Sequence, residues 1–500
     1  MKNINILWSA IVFSICFSIE LSSLSAKQIP INILSKTPEV RDVQISPNGE
    51  YFSVIFRKDG RDLLGVLDRN TKKPINLFGV KGQGKSIGAV YWINNERLIH
   101  TIVKSSKYNT TIFDYGEINA INVDGSRKKA IFGYQSGEKQ TGTRIKKKRS
   151  DRAWFDIIDL LENDDKHILI SVLPWQIDLD EVKPEVFKLN VYSGRKKKTG
   201  KLPGRWGMTD NNGNLRFSWR VNDNNRLVIY YKEAKLNAPI GDWQTFDVKD
   251  FDYQKIFPLA FTKDNKSVYL NVTIKDKTSA LHLLNLEEQS IEKIYQHDLV
   301  DTSDYIFDFD TSNIVAVRND FGKPSYEYLD KKNAKGKLHR ILSKAFPNNH
   351  VGIVSATKDN SYVVVSVTSD TNSGDYYLFS TKTLNADYII SASPWLDPAE
   401  MANMEPQTFE MRDGVTIHGY LTKPKVYKGK LPLVVMPHGG PHGRRDYWGF
   451  NYEVQLLANR GYAVLQVNFR GSGGFGLGFK EKGHGEWGAL MQDDLTDATI

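Results

Sequence analysis

Chemistry in this 500-residue chain is expected where an apolar run, Val434-Val435-Met436, enters His438-Gly439-Gly440-Pro441-His442-Gly443. Two adjacent glycines let a backbone come within hydrogen-bond distance of another group with no Cβ in the way. A turn of this kind can aim backbone N–H groups at the negative charge that develops on a carbonyl oxygen under attack. Metal binding is the competing use. His438 and His442 are four apart, the spacing of two helix-borne zinc ligands. Gly439, Gly440 and Pro441 lie between them and disfavour a helix, and no glutamate follows His438. No metal and no organic cofactor are expected.

A second stretch imitates a chemical motif. Gly79-Val80-Lys81-Gly82-Gln83-Gly84-Lys85-Ser86 fits the letters of a phosphate-binding loop, which needs a helix to follow. The residues that follow, Ile87 to Ile99, alternate like a strand, so a loop between strands is expected. The net charge of +9 is spread along the chain. Its two short basic runs, Arg144–Arg149 and Arg195–Lys198, adjoin Gly/Ser turn residues and read as solvated hairpin loops. No nucleic-acid partner is expected.

The elements that must position the glycine loop fall into two regions. Between about residues 40 and 395, an alternating strand, a polar turn and a second strand recur seven times. Copies begin at Leu63, Glu117, Glu185, Gln244, Ala280, Tyr326 and Asp375. A spacing averaging about fifty residues suits four-stranded propeller blades, and no long helical pattern is expected among them. A stacked β-sandwich array is the alternative.

After a proline-bearing linker (Pro394, Pro398, Pro406) the pattern changes. A hairpin is expected around Asp413-Gly414, and a fully buried strand at 433–436. A helix is expected over 448–459 with Gly461 as its stop, then a buried strand over 462–467 and a helix starting at Gln492. That order makes an α/β unit.

At the N-terminus, Lys2, the apolar run Ile6–Phe17 and Leu24-Ser25-Ala26 read as a secretory signal peptide. The only cysteine, Cys16, lies inside that run, so cleavage after Ala26 would leave none. No other segment is long and apolar enough to span a bilayer. An exported protein, periplasmic or secreted, is expected, with no membrane contact after signal removal.

MPHGGPHGR at 436–444, NFRGSGGFG from Asn468 and GEWGALMQDDLTDA from Gly485 closely resemble the catalytic domain of the prolyl oligopeptidase family of serine peptidases. The nearest likeness is to its acylaminoacyl-peptidase and dipeptidyl-peptidase-like branches. The resemblance implies a propeller of about seven blades followed by an α/β-hydrolase domain, incomplete here. The expected divisions are 1–26 signal peptide, 27–395 propeller and 396–500 the front of the hydrolase domain. It also implies that the Gly440 N–H is one oxyanion donor and that His438 fixes the loop. Arg470 to Gly476 would shape the turn after the next strand, and Asp493-Asp494 the helix before the nucleophile strand. The implied substrates are short peptides, cleaved through an acyl-enzyme.

The family's serine sits on a G-x-S-x-G elbow. None is expected here: Ser472, in FRGSGGFG, has Arg470 at minus two. The Ser/Asp/His triad is therefore expected after Ile500, leaving residues 1–500 inactive alone. The alternatives are an esterase of the same fold and a non-catalytic propeller binding module with a degenerate tail. Oligomeric state is not legible.

Overall fold

The structure is a computed structural model. It describes residues 28–82, 84–105, 112–137, 149–175, 183–222, 226–233, 240–246, 254–309 and 311–500. The expected signal peptide lies outside these residues, as do residues 144–148 of the first basic run. Among the described residues no helix is long and apolar enough to cross a membrane.

Seven consecutive antiparallel sheets occupy residues 40–79, 85–132, 153–201, 206–246, 255–296, 302–328 and 350–391. Each pairs its strands in chain order, because short polar turns permit only neighbour pairing. The sheets form a ring, and their packing shows it. Val90 and Leu98 of the second sheet bury against Leu64 and Val66 of the first. Similar shared clusters join second to third, third to fourth, fourth to fifth and fifth to sixth. The seventh closes on the first: Val364 and Leu378 pack on Val43 and Phe52. Two hydrogen bonds support that seam, Ile45 N–H to Ser355 Oγ (3.0 Å) and Lys358 N–H to Pro47 O (2.8 Å). This is a β-propeller of seven blades.

The expectation of no helix among the blades is wrong at one place. The sixth sheet has three strands, and α1 (Ala334–Ala345) follows where a fourth strand would stand. The segment AKGKLHRILSKA lacks alternation and is rich in good helix formers. Leu338 and Leu342, four apart, bury against Val351 and Val363 of the seventh sheet. Asn333 caps the helix by accepting from the Gly336 N–H (3.0 Å).

The second basic run is also not a loop. Lys196–Lys201 is the outer strand of the third blade, where Lys196 pairs with Asp151 and Lys198 with Glu185. Charged side chains on an edge strand discourage pairing with another chain.

The C-terminal sheet contains β1 (Met404–Glu410), β2 (Thr416–Thr422), β3 (Leu433–Val435) and β4 (Ala463–Asn468), in the order β1-β2-β4-β3. β3 and β4 are parallel, joined through α2 (Tyr452–Asn459). Asp413 and Gly414 form the β1–β2 turn, Gly414 at φ +80°. Pro406 sits in β1, an edge strand, where its missing N–H is tolerated. All of β4 is buried, as expected. β3 is not: Leu433 is 40% exposed, because β3 forms the other edge. α3 (Leu477–Glu481) and α4 (Leu490–Asp497) complete the unit.

This unit sits on one face of blades five to seven. Asp301 N–H donates to Gly474 O (2.9 Å), Tyr420 Oη to Gly322 O (3.1 Å), and Gln455 Nε2 to Asp370 O (3.0 Å). The blade residues involved lie at strand-connecting loops of that face. A cavity of about 520 Å³, lined by Gln44, Trp92, Asn94, Lys335 and Ser355, opens where the innermost strands end, on the opposite face.

Candidate active site

The glycine loop leaves the C-terminal end of β3, where a parallel strand delivers backbone to a sheet edge. Gly440 has φ +134°, a region that favours glycine. A Cβ there would also meet Arg444 Cγ at 3.1 Å, whereas one on Gly439 would meet nothing within 4 Å. Within the described residues no hydrogen bond uses the Gly440 N–H. The loop therefore offers a donor beside open space.

His438 is placed by three contacts. Its ring stacks on Phe469 (4.6 Å between centroids, 15° between planes). Nδ1 lies 2.9 Å from Gly439 O; a carbonyl only accepts, so Nδ1 carries the hydrogen. In the neutral ring Nε2 then accepts from Ser472 Oγ–H at 2.8 Å. This pair has the distance of a serine nucleophile and its base, but Ser472 is fully buried and no substrate carbonyl can reach it. Ser472 locks the loop to the turn after β4. His442 faces elsewhere, edge-on to His484 (5.1 Å), so the two histidines are not aimed at one point.

The turn after β4 is held from below. Arg470 donates to Asp494 through Nε (2.9 Å) and Nη2 (2.6 Å) and to Asp413 through Nη1 (2.8 Å). Its own N–H also donates to Asp494 (2.8 Å). Arg470 and Asp494 are both buried, and hydrogen bonding to Asp494 pushes the guanidinium above its ordinary range. One arginine, through two ion pairs, thus ties the turn after β4 to α4 and to the β1–β2 turn. Gly471 and Gly483 pack backbone to backbone beneath it: a Cβ on Gly483 would lie 2.5 Å from Gly471 Cα.

A hollow of about 330 Å³ lies against the loop. His438, Gly440, Phe469, Trp487, Met491 and Leu495 line it. Trp487 is 83% exposed. A neighbouring groove of about 460 Å³ lies between the end of β3, at Val435, and Leu495 of α4.

The letters G-x-S-x-G do occur once in the chain, contrary to expectation, at Gly84-Lys85-Ser86-Ile87-Gly88. The fold rules them out as an elbow. Ser86 lies in the strand Lys85–Trp92 of the second blade, no helix follows, and its Oγ donates to Asp62 Oδ2 (2.7 Å). The same strand disposes of the phosphate-loop imitation, whose Lys85 pairs with Glu117 (3.2 Å).

Sequence reasoning placed Gly440 and His438 in one loop. It did not link His438 to Ser472, nor Arg470 to Asp494, and it passed over Asp446, Gln466 and Arg445. Arg445 reaches across to the propeller, donating to Asp320 O (3.0 Å), with its guanidinium 4.1 Å from the Phe475 ring centre.

The arginine-bearing turn and the acidic helix fall within the segment that a family model matches. Residues 448–499 match the prolyl oligopeptidase family. Dipeptidyl aminopeptidase BIII of Pseudoxanthomonas mexicana is 28% identical over 341 residues, covering 66% of this chain and 48% of that protein. Dipeptidyl peptidase family member 6 of Caenorhabditis elegans is 26% identical over 316 residues, covering 58% and 42%. The chain thus spans about half the length of these relatives. A puromycin-hydrolyzing peptidase of Mycobacterium tuberculosis shares the fold, with TM-score 0.59 and 14% identity over 95% of this chain and 72% of that one. The prolyl oligopeptidase resemblance therefore holds in sequence and in architecture: a propeller followed by strands and helices of α/β-hydrolase type.

Proposed function

We propose that this chain is the propeller and front hydrolase portion of an exported serine-type peptidase acting on short peptides. The nucleophile, its histidine and its aspartate follow Ile500. In this reading the Gly440 N–H and the N–H after that serine hold the oxyanion. The histidine moves the proton between serine and leaving amine, and the aspartate orients it. His438 and Ser472 hold the glycine loop at rest, so its donor is in place before substrate arrives. The next strand pairs in parallel with the open side of β3, and the groove between Val435 and Leu495 receives it. Residues 1–26 direct export and are removed.

The observation that carries the reading is the Gly440 N–H, unused in the described structure, at the end of an edge strand that has room for a neighbour. The peptidase names of the relatives and the share of their length that this chain spans support it.

The test is one gel of the protein expressed in its source and treated with a fluorophosphonate probe. A labelled band clearly heavier than 56.9 kDa is expected. An unlabelled band at or just below that mass would overturn the catalytic reading and leave the propeller as the functional part. Hydrolysis of an acyl ester with no turnover of the matched amide would make the enzyme an esterase.

A further inference from the structure

The glycine loop is anchored at its far end by Asp446. The Asp446 N–H donates to Asn468 Oδ1 (2.7 Å), and its C=O accepts from Asn468 Nδ2 (3.2 Å). Its Oδ1 accepts from Gln466 Nε2 (2.9 Å). Both partners belong to β4. Two oxygens are left over. Asp446 Oδ2 and Gln466 Oε1 are each buried without a hydrogen-bond partner among the described residues.

In an ionised site both leftover atoms are acceptors, and neither can satisfy the other. Buried unpaired polar atoms are uncommon enough that each calls for an explanation. These two belong to the two ends of one existing hydrogen bond, so one explanation serves both. A protonated carboxyl gains an O–H donor. Placed on Oδ2, that hydrogen gives Gln466 Oε1 its donor. It closes the two-bond ring that a carboxylic acid and a carboxamide form.

We propose that Asp446 keeps its proton in the folded protein and donates it to Gln466 Oε1, so that a neutral acid–amide pair fastens the glycine loop to β4. Asp446 is a positioning residue in this scheme; only its bearing on catalysis rests on the oxyanion reading of Gly440.

The surroundings agree. Burial pushes the Asp446 carboxyl above the ordinary aspartate range; the nearby His438 ring, the hydrogen bond from Gln466 and the Arg445 guanidinium pull the other way. From β4 it meets the neutral Gln466 and Asn468. On β2, Tyr420 stands opposite Gln466 with its hydroxyl turned to Gly322 O. A folded-state value raised above the unfolded one gives a definite sign. The stability contribution is fully present below the unfolded value and is lost as pH rises through the folded one.

The experiment uses the full-length protein, wild type beside Asp446→Asn and Asp446→Ala. Asparagine is the isostere of the neutral acid: its Nδ2–H reaches Gln466 Oε1 while Oδ1 still accepts. The infrared difference spectrum of wild type minus Asp446→Asn at neutral pH is expected to show the C=O stretch of a protonated carboxyl. The Tm of Asp446→Asn is expected to match wild type in acid and exceed it in alkali, with Asp446→Ala lower throughout. If the acid band is missing and Asp446→Asn melts as low as Asp446→Ala at every pH, the ionised carboxylate is the holding form and the proposal falls. Neither readout needs turnover, so a failed peptidase reading leaves this result standing.

Discussion

Gly440 and Ser472 show how little of a residue's role is visible in its type. Gly440 is needed for its backbone: at φ +134° a side chain strains the turn by about 1–3 kcal/mol and displaces the N–H. In the full-length enzyme Gly440→Ala is therefore expected to lower kcat by about 10²–10³-fold with a smaller change in KM. An unchanged kcat would show that this N–H does not hold the oxyanion. Ser472 has a histidine at 2.8 Å, yet burial makes it a lock. Ser86 has the right glycine neighbours and the wrong secondary structure. At this scale, burial and backbone conformation separate the three, and neither is written in the letters.

At the scale of elements, the Arg470–Asp494 pair decides whether β4 and α4 hold together beneath the glycine loop. Removing one partner of a buried ion pair costs about 3–5 kcal/mol when the other is left uncompensated, and because Asp413 still holds Arg470 Nη1 the lower end, about 3 kcal/mol, applies here. Asp494→Ala is expected to destabilise by that amount in urea denaturation, and Asp494→Asn, which keeps an acceptor for the Arg470 N–H, by less. Equal losses from both would mean that the charge, and not the hydrogen-bond geometry, sets the cost. Two local expectations fail here for the same reason. The last quarter of the sixth blade is a helix because its apolar residues stand four apart and meet the seventh sheet. β3 is half exposed because its place at the edge, and not its composition, determines its surroundings.

On the scale of the molecule, stability comes from a ring closed by packing between the first and seventh blades, with the C-terminal sheet seated on blades five to seven. Histidines within the blades are expected to make this ring acid-sensitive. Burial pushes His100 in the second blade down to about 4. Burial and the nearby Arg318 do the same to His350 in the seventh. A histidine whose folded value is depressed binds its proton more readily when unfolded, so stability falls as pH drops from about 6.5 towards 4. The expected loss is on the order of 3 kcal/mol for each. Denaturation curves across that range should show the loss, and His100→Gln should remove the His100 share of it. A variant as acid-sensitive as wild type would assign the effect elsewhere.

Periodicity and turn chemistry are local properties, and they alone determined five of the seven strand–turn–strand copies, those from Leu63, Glu117, Glu185, Ala280 and Asp375, the change to an α/β pattern near residue 395 and the glycine loop at 438–443. Each depends on residues within a few positions of one another, which share a strand or a turn whatever the rest of the chain does. Only the tertiary structure decided which serine meets His438 and that Arg470 spans three elements. It also decided that β3 lies at an edge, and that Asp446 and Gln466 face each other with two oxygens unpaired. These contacts join residues 20 to 57 positions apart, and sequence spacing carries no direction in space over such lengths. Packing supplies that direction, because a buried polar atom must find its partner wherever the fold brings one.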